Sequence, residues 1–368
     1  MKRKRVPLAN YVTEYSVRNK SNENIPVYSV TNSQGFCTDY FDKEVASKDK
    51  KTYKVVPRGY FAYNPSRINV GSVDWQKIEE KVIVSPLYNV FSVSENMEQQ
   101  YLYYFLKSDI GRQMIKTKVF GSVRDNLKIE MLKEMTIPER TVEEQKKCVS
   151  ILDTLQRMIS LRTKELAELD MLNRARFVEM FVSKNYPREE LDNLSYGKGE
   201  YGAQSASVEY NSSRPRYVRI TDIKEDGSLN DDVVCSANVE DDKLYKLKYG
   251  DFCFARMGAT VGKTYAYRGG NQIFAGYLIR YKLNLNRIIP EYLYEFTRLH
   301  EYRNWVSLNQ SGAAQPGINA KKYGSLRIPV APLEEQRVFA KFVEQVNKSK
   351  VIFHHVTQIH IYKTSTLL

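Results

Sequence analysis

Two short motifs in the sequence have the residue types of phosphate or base chemistry. The segment GATVGKT at 258–264 partly matches a phosphate-binding P-loop, but a P-loop has four residues between its glycines and this segment has three. The segment NPSR at 64–67 partly matches the Asn-Pro-Pro-aromatic loop that holds a flipped base, but the second proline and the aromatic are absent. Both segments are therefore interpreted as structural turns.

The histidines and cysteines do not form a recognisable catalytic or metal-binding pattern. The four histidines include three near the C-terminus, with no HExxH spacing: His300, His354, His355 and His360. The four cysteines lie far apart with no CxxC pair, so neither a disulfide framework nor a cysteine-rich zinc site is expected. The sequence predicts no catalytic residue, no metal and no cofactor.

Composition and charge indicate a globular protein with a polyanionic partner. The chain has 368 residues, 42% of them hydrophobic, and a net charge of +13. Residues 1–140 and 184–332 carry +7 and +4, whereas residues 141–183 and 333–368 carry 0 and +2. Two basic blocks in a chain with 27 tyrosines fit nucleic acid, although a solvated surface explains them equally well. No membrane span or signal peptide is expected, which favours the cytoplasm.

An internal repeat organises the chain. Residues 101–145 align without a gap on 292–336, at a constant offset of 191. The match includes a Tyr-Leu-Tyr triplet, an Ile-Pro pair and a Glu-Glu-Gln motif, and the same offset continues upstream to Gly59 and Gly250. Each copy begins with short β-type runs such as 81–84 and 217–220, followed by a helical stretch at 98–117 or 290–306. The chain is therefore two copies of one unit, each followed by a helix.

Each Glu-Glu-Gln motif begins a long helical pattern, because an acidic pair suits the positive N-terminus of a helix. In the first pattern five apolar residues recur at steps of three and four, with a polar break at Arg162: Leu152, Leu155, Ile159, Leu166 and Leu169. The second has a weaker series in the same register: Val343, Val346, Phe353 and Thr357. This spacing predicts a coiled-coil seam, against the alternative of shorter core helices.

The expected fold is α+β, with two repeated domains separated by an antiparallel pair of long helices and related by a pseudo-two-fold axis. The first domain is expected at 1–140 and the second at 184–332. The central helix is expected at 141–183 and the distal helix at 333–368.

This arrangement resembles the specificity (S) subunit of Type I restriction–modification systems. The second half carries the more specific match, in YVRITDI at 217–223, YGDFCFARMG at 249–258, and the stretch from QPGIN at 315–319 to LRIPVAPLEEQ at 326–336. The first half departs from the pattern, with Arg58-Gly59-Tyr60 in place of the Gly-Asp step and RDNL at 124–127 in place of QPGI.

The resemblance implies a DNA-binding protein with two target recognition domains, each reading one half of a bipartite double-stranded sequence. The helices would set the spacing and dock two methyltransferase (M) subunits, which carry S-adenosylmethionine and perform the DNA methylation. Restriction/translocase (R) subunits would join for cleavage. The chain itself would be a non-catalytic subunit of this restriction system.

Candidate DNA contacts follow from the donor and acceptor pairs that bases and phosphates require. Loop residues suited to base edges, together with lysines suited to phosphates, are Arg67, Lys118, Arg124, Arg256, Lys263, Gln310, Gln315, Lys321 and Lys322. Arg256 could instead brace its own loop. The predicted partner-binding residues are the two motifs Glu143-Glu144-Gln145 and Glu334-Glu335-Gln336, for which helix capping is an equally good local explanation.

Two rival interpretations belong to other classes of protein. A standalone DNA methyltransferase would need a cofactor loop and a complete base-flipping motif. A coiled-coil adaptor without a DNA role would leave the two basic blocks unexplained.

Overall fold

The computed structural model describes residues 3–38, 49–119, 126–239, 242–311 and 316–367, with side chains as far as residue 350. The chain divides into two compact units. The first contains Met1–Arg162 and His355–Leu368, and the second contains Thr163–His354. Each unit therefore holds one copy of the repeat and a part of both long helices.

The first copy is a small antiparallel sheet with strand pairs beside it and three helices behind it. Its elements, followed by the first long helix, are β1 (Arg5–Pro7), β2 (Val12–Glu14), β3 (Ser29–Thr31), β4 (Gly35–Cys37), β5 (Lys54–Pro57), β6 (Phe61–Tyr63), β7 (Val73–Trp75), β8 (Lys81–Val84), β9 (Asn89–Val93), α1 (Gln99–Lys107), α2 (Asp109–Val119), α3 (Ile129–Lys133), β10 (Thr136–Pro138) and α4 (Val142–Phe177). The sheet order is β2-β9-β6-β7, and β3–β4 and β5–β8 are separate pairs.

The second copy has the same plan, with ten strands in the described residues of each copy. Its elements, followed by the second long helix, are β11 (Arg188–Glu190), β12 (Glu200–Tyr201), β13 (Ser207–Glu209), β14 (Arg216–Val218), β15 (Cys235–Ala237), β16 (Asp251–Ala255), β17 (Thr264–Ala266), β18 (Gln272–Phe274), β19 (Leu278–Lys282), α5 (Pro290–Phe296), α6 (His300–Asn309), α7 (Ala320–Gly324), β20 (Arg327–Pro329) and α8 (Leu333–Leu367). Its sheet order is β12-β19-β16-β17, beside the pairs β13–β15 and β14–β18.

The structure confirms the repeat inferred from the sequence. Strands β6 and β16, helices α3 and α7, and strands β10 and β20 all occur at the same offset in the two copies. The four-stranded sheets have equivalent orders, with β9 and β19 each lying between an edge strand and the middle strand. The two copies are therefore one α+β domain repeated in the chain.

Each copy is closed by a pair of strands from its two ends. Strand β1 pairs antiparallel with β10, so that Arg5 lies opposite Pro138. Strand β11 pairs in the same way with β20, so that Arg188 lies opposite Pro329. The two Ile-Pro steps lie in these terminal strands, immediately before the long helices. The chain consequently enters and leaves each copy at one place.

The long helices agree closely with the sequence prediction. Helix α4 has 36 residues and continues into a π-helical turn at Val178–Val182, and α8 has 35 residues. Within the second unit the two helices run antiparallel, because Asp170 pairs with Lys350 at 2.5 Å, and Phe177, about two turns further along α4, contacts Phe339, about three turns earlier in α8. A helix of this length extends about 54 Å at about 1.5 Å per residue.

The predicted seam lies on the less exposed face of α4. Leu152 is buried and the other four predicted seam residues are half-buried, whereas Ile151, Met158 and Leu161 on the neighbouring face are exposed. In the second series Val343 and Val346 are buried, and the side chains of Phe353 and Thr357 lie outside the described residues.

Two local predictions differ from the structure. The single helical stretches at 98–117 and 290–306 are each two helices, α1 with α2 and α5 with α6. The first break occurs at Ser108, which adopts an extended conformation and whose hydroxyl accepts a hydrogen bond from the backbone of Gly111. The strand expected at 217–220 lies at 216–218, because the Asp222 carboxylate accepts hydrogen bonds from the backbone and the guanidinium of Arg219 around a 3-10 turn.

Candidate nucleic-acid interface

Three of the predicted base-contacting residues lie in or beside two segments that meet in each copy: Arg67, Arg256 and Gln310. In the first copy the backbone N–H of Leu127 donates to the carbonyl of Pro65 at 3.1 Å, and in the second Ile318 donates to Arg256 at 2.9 Å. These two bonds are equivalent at the repeat offset. Each bond joins the turn after the middle strand of the sheet to the loop that follows the second helix of the copy.

The first-copy turn joins the antiparallel strands β6 and β7. The Asn64 side chain accepts hydrogen bonds from the backbone and hydroxyl of Ser66 at 3.1 and 2.9 Å. Gly71 ends the turn with a φ of +100°, a conformation that favours glycine. Residues 64–67 thus form a structural turn, as predicted, and the Arg67 side chain is exposed on it. Arg124 lies outside the described residues.

The second-copy turn forms backbone hydrogen bonds with its neighbouring loop. The backbone of Gly258 donates to Pro316 at 3.0 Å, and Ser311 and Gly317 exchange two backbone bonds of 3.0 Å. Gln310 is exposed at the start of this loop. Gln315 lies outside the described residues, although both ends of its loop are fixed. The structure therefore places Gln310 and Arg256 on adjoining segments.

Arg256 is a candidate for a base contact whose guanidinium is held by neighbouring side chains. Its guanidinium lies over the ring of Tyr201, at 4.9 Å from the ring centre, and donates to the sulfur of Met257 at 3.4 Å. Tyr201 is 43% exposed and its hydroxyl accepts a hydrogen bond from the backbone of Ala320. Sequence reasoning missed this tyrosine, because it lies in a two-residue strand with no pattern that connects it to Arg256.

The predicted lysines have different surroundings. Lys321 is exposed on α7, and the ammonium of Lys322 donates to the carbonyl of Asn309 at the end of α6, at 2.8 Å. Lys118 forms an ion pair with Glu134, and Lys263 forms one with Glu225 at 2.6 Å. Lys321 is therefore the most accessible of the four, while the other three have partners within their own domain.

The GATVGKT segment is a turn between two antiparallel strands, β16 and β17. The N–H of Gly262 donates to Ala255 and that of Lys263 donates to Thr260, both at 3.0 Å. A P-loop instead connects a strand to a helix and directs its N–H groups at a phosphate. These N–H groups are already used within the turn, which agrees with its interpretation as a structural element.

The two Glu-Glu-Gln motifs start the long helices, and their glutamines are buried. The amide nitrogen of Gln145 donates to the carbonyls of Asn96 and Arg140, and its oxygen accepts from the N–H of Glu98. Gln336 forms the three equivalent bonds in the second copy, with Arg287, Ala331 and Ile289. Both glutamines are at most 1% exposed. They connect each helix to its domain and lie below the surface that another subunit could touch.

The glutamates of the motifs lie nearer the surface. Glu144 and Thr141 form a reciprocal capping box, with bonds of 3.0 and 3.2 Å. The hydrogen bond from the Thr141 backbone lowers the pKa of Glu144, and a hydrogen bond from Lys184 lowers the pKa of Glu335. Glu143 and Glu334 are exposed. The partner-binding prediction therefore remains open for these two side chains in particular.

The described ranges contain no group of three or more His, Cys, Asp or Glu side chains placed to hold a metal ion. In the same ranges no helix has the length and apolar character needed to cross a bilayer. The four cysteines are free, and Cys148, Cys235 and Cys253 are buried.

A repeated α+β domain, with a pair of joined loops at one place in each copy and a long helix after it, defines a protein built from two similar halves. The family model for the Type I restriction modification DNA specificity domain matches residues 7–171 and again residues 197–361. The chain belongs to this family, and it is a DNA-recognition specificity subunit. No curated protein has a sequence similar enough to match.

Solved structures support the same fold. The chain is similar to one from a study of complex assembly and conformational transition of the type I R-M system, with 15% identity, coverage of 99% of this chain and 96% of that chain, and a TM-score of 0.57. It is also similar to the S subunit of the Type-I restriction-modification system from M. genitalium, with 12% identity, coverage of 100% and 95%, and a TM-score of 0.52.

Proposed function

We propose that each copy reads one half of a bipartite DNA duplex through its pair of joined loops, and that the chain has no catalytic activity of its own. Two methyltransferase subunits would dock on the helices and supply S-adenosylmethionine and the methyl transfer, and restriction subunits would join for cleavage. The domains would occupy 1–140 and 184–332, and the helices 141–183 and 333–368. The expected location is the cytoplasm, where the DNA target is found.

The observation that carries this proposal is the equivalent backbone bond that joins the two loops in both copies. The bond is kept, but the side chains around it differ: Arg67 in the first turn aligns with Gly258, and Arg256 in the second aligns with Pro65. Two domains that read different sequences need the same backbone arrangement but different side chains at the positions that contact the bases. Arginine pairs with guanine and glutamine with adenine in the major groove.

The experiment that tests the function compares the purified chain alone with the chain plus its methyltransferase subunit. We expect the chain alone to bind duplex DNA without transferring a methyl group, because no cofactor loop or base-flipping motif is present. With the partner subunit it should direct methylation to one bipartite sequence. Methyl transfer by the chain alone would favour the standalone enzyme, and failure to bind DNA in either state would favour the adaptor.

A second prediction concerns the base-reading residues. Arg256→Ala and Gln310→Ala should each weaken discrimination at one base pair of a single half-site, by about 1–3 kcal/mol, because a paired donor–acceptor contact is lost. Methylation mapping on a library of half-site variants measures this preference. Gln310 is exposed, so its substitution should leave stability unchanged. If Arg256→Ala lowers stability without altering base preference, Arg256 only braces its loop.

A further inference from the structure

A basic cavity lies behind the turn that joins β16 and β17. Its volume is about 330 Å³, and it lies within the second unit. Its lining includes four cationic side chains and one carboxylate: Lys224, Lys263, Arg298, Arg303 and Glu225. Such an excess of positive charge around a concave surface favours an anionic ligand.

The cationic side chains of this cavity differ in whether they already contact other protein groups. Arg298 is held in place, since it donates to the Tyr294 hydroxyl at 2.9 Å and lies over the same ring. Lys263 is paired with Glu225, whose side chain is 88% exposed. Lys224 and Arg303 are exposed, and neither forms an ion pair with any residue in the described ranges. Two cations are therefore available, and a third has a displaceable partner.

Two of the four cavity cations, Arg298 and Arg303, have basic counterparts in the first copy, whereas Lys263 aligns with Ser72. Between residues 54 and 146, the basic residues matched by a basic residue at the repeat offset are Lys77 with Arg268, Lys107 with Arg298, Arg112 with Arg303, and Lys146 with Arg337. Arg298 and Arg303 of these pairs line the cavity, and Arg268 lies beside it, on the ring of Tyr294 that Arg298 also contacts.

The geometry around the Tyr294 ring is also repeated. In the first copy the ammonium groups of Lys77 and Lys107 lie 5.6 and 5.1 Å from the ring centre of Tyr103. In the second copy Arg268 and Arg298 lie 5.5 and 5.4 Å from that of Tyr294. A charge that both copies keep does not distinguish two different half-sites. It is suited instead to the part of DNA that is the same in every sequence, the phosphate backbone.

The backbone at the end of this turn is not available to an anionic ligand, so the ligand would contact side chains. As the backbone N–H groups of Gly262 and Lys263 are used within the turn, and the Thr264 hydroxyl is bonded to Thr297 at 2.9 Å, a nucleotide would find no cradle of N–H groups. Guanidinium and ammonium groups without such a cradle fit a phosphodiester, whose oxygens Arg can bind in pairs.

We propose that this cavity binds a backbone phosphate of the DNA duplex through Arg303 and Lys224, and that the phosphate displaces Glu225 from Lys263. The proposal rests on the DNA-binding function proposed above and adds a sequence-independent anchor to it. In the first copy Arg112 would take the role of Arg303, and Lys107, whose ammonium donates to the Asn32 carbonyl at 2.7 Å, would take that of Arg298.

The test measures binding of the full-length chain to a short mixed-sequence duplex by fluorescence anisotropy at several salt concentrations. Arg303→Gln should weaken binding about tenfold and lower the slope of log K against log salt by about one. Glu225→Gln should tighten binding, because it removes the competing carboxylate. Lys341→Gln, which removes the same charge from an exposed position on α8, is the matched control and should have little effect.

The outcomes separate this proposal from the proposed function. If the unaltered chain fails to bind any duplex, the DNA-binding function fails and the anchor fails with it. If the chain binds DNA but Arg303→Gln behaves like Lys341→Gln, only the anchor is overturned. If circular dichroism shows that the Arg303→Gln variant is unfolded, the Lys224→Gln variant is tested instead, and the same weakening of DNA binding is expected. Inorganic phosphate could raise the melting temperature of the unaltered chain but not that of Arg303→Gln, while both bind the duplex equally well. In that case the ligand of the cavity is free phosphate, and its assignment to the DNA backbone is wrong.

Discussion

Replacing Gln336 by alanine is expected to lower the free energy of unfolding of the second domain by about 3 kcal/mol. The Gln336 side chain is fully buried and forms three hydrogen bonds to backbone groups on two segments. Alanine leaves the N–H of Ile289 and the carbonyls of Arg287 and Ala331 without these partners. Chemical denaturation followed by circular dichroism measures the change.

Matched substitutions distinguish this role from subunit docking. Gln145→Ala should have a similar effect in the first domain, since its three bonds are equivalent. Glu143→Lys and Glu334→Lys should leave stability nearly unchanged, because both side chains are exposed, and should weaken assembly with methyltransferase subunits. A stable Gln336→Ala protein that fails to assemble would contradict the junction role. If the glutamate variants form a complex of normal mass, the two motifs do not belong to the docking surface.

The sequence predicted the parts of the fold that depend on regular spacing. The constant offset of 191 identified the repeat, and the apolar steps of three and four placed the long helices within a few residues of α4 and α8. These signals are strong because a helix of more than thirty residues repeats its pattern many times.

The strands were less predictable, because most have only three residues. The pairing of β1 with β10 joins residues more than a hundred positions apart, and no local pattern specifies it. The burial of Gln336 was missed for a related reason. Its surroundings come from two other segments, whereas the sequence shows only a polar residue in the first turn of a helix.

The sequence named candidate residues for the site, and their role in base contacts stays a prediction. Arginine and glutamine in loops pointed to base contacts, and the structure shows that Arg256 and Gln310 lie on joined segments. The ion pairs of Lys118 and Lys263 with glutamates, and the ring of Tyr201 beneath Arg256, are tertiary contacts that spacing does not encode. The sequence alone therefore does not show which basic residues have partners, whereas the structure does.

The second domain has its own sheet and its own closing strands, and its aromatic core continues into the two long helices. The backbone of Val330 donates to Pro187 at 2.9 Å, next to the β11–β20 pair. The chain therefore enters and leaves at one point, so both junctions of an exchanged segment meet the same pair of helices.

Exchange of residues 184–332 for the corresponding domain of another family member should replace one half-site of the DNA target and leave the other half-site unchanged. The reason is that the loops joined at Arg256 and those joined at Pro65 belong to separate copies, each with its own closing strands. Methylation mapping of the hybrid, assembled with methyltransferase subunits, measures both half-sites at once. The spacing between them should persist, since the helices that set it are retained. A hybrid that alters both half-sites would show that the two copies read DNA as one surface, and a hybrid that changes neither would place recognition outside residues 184–332.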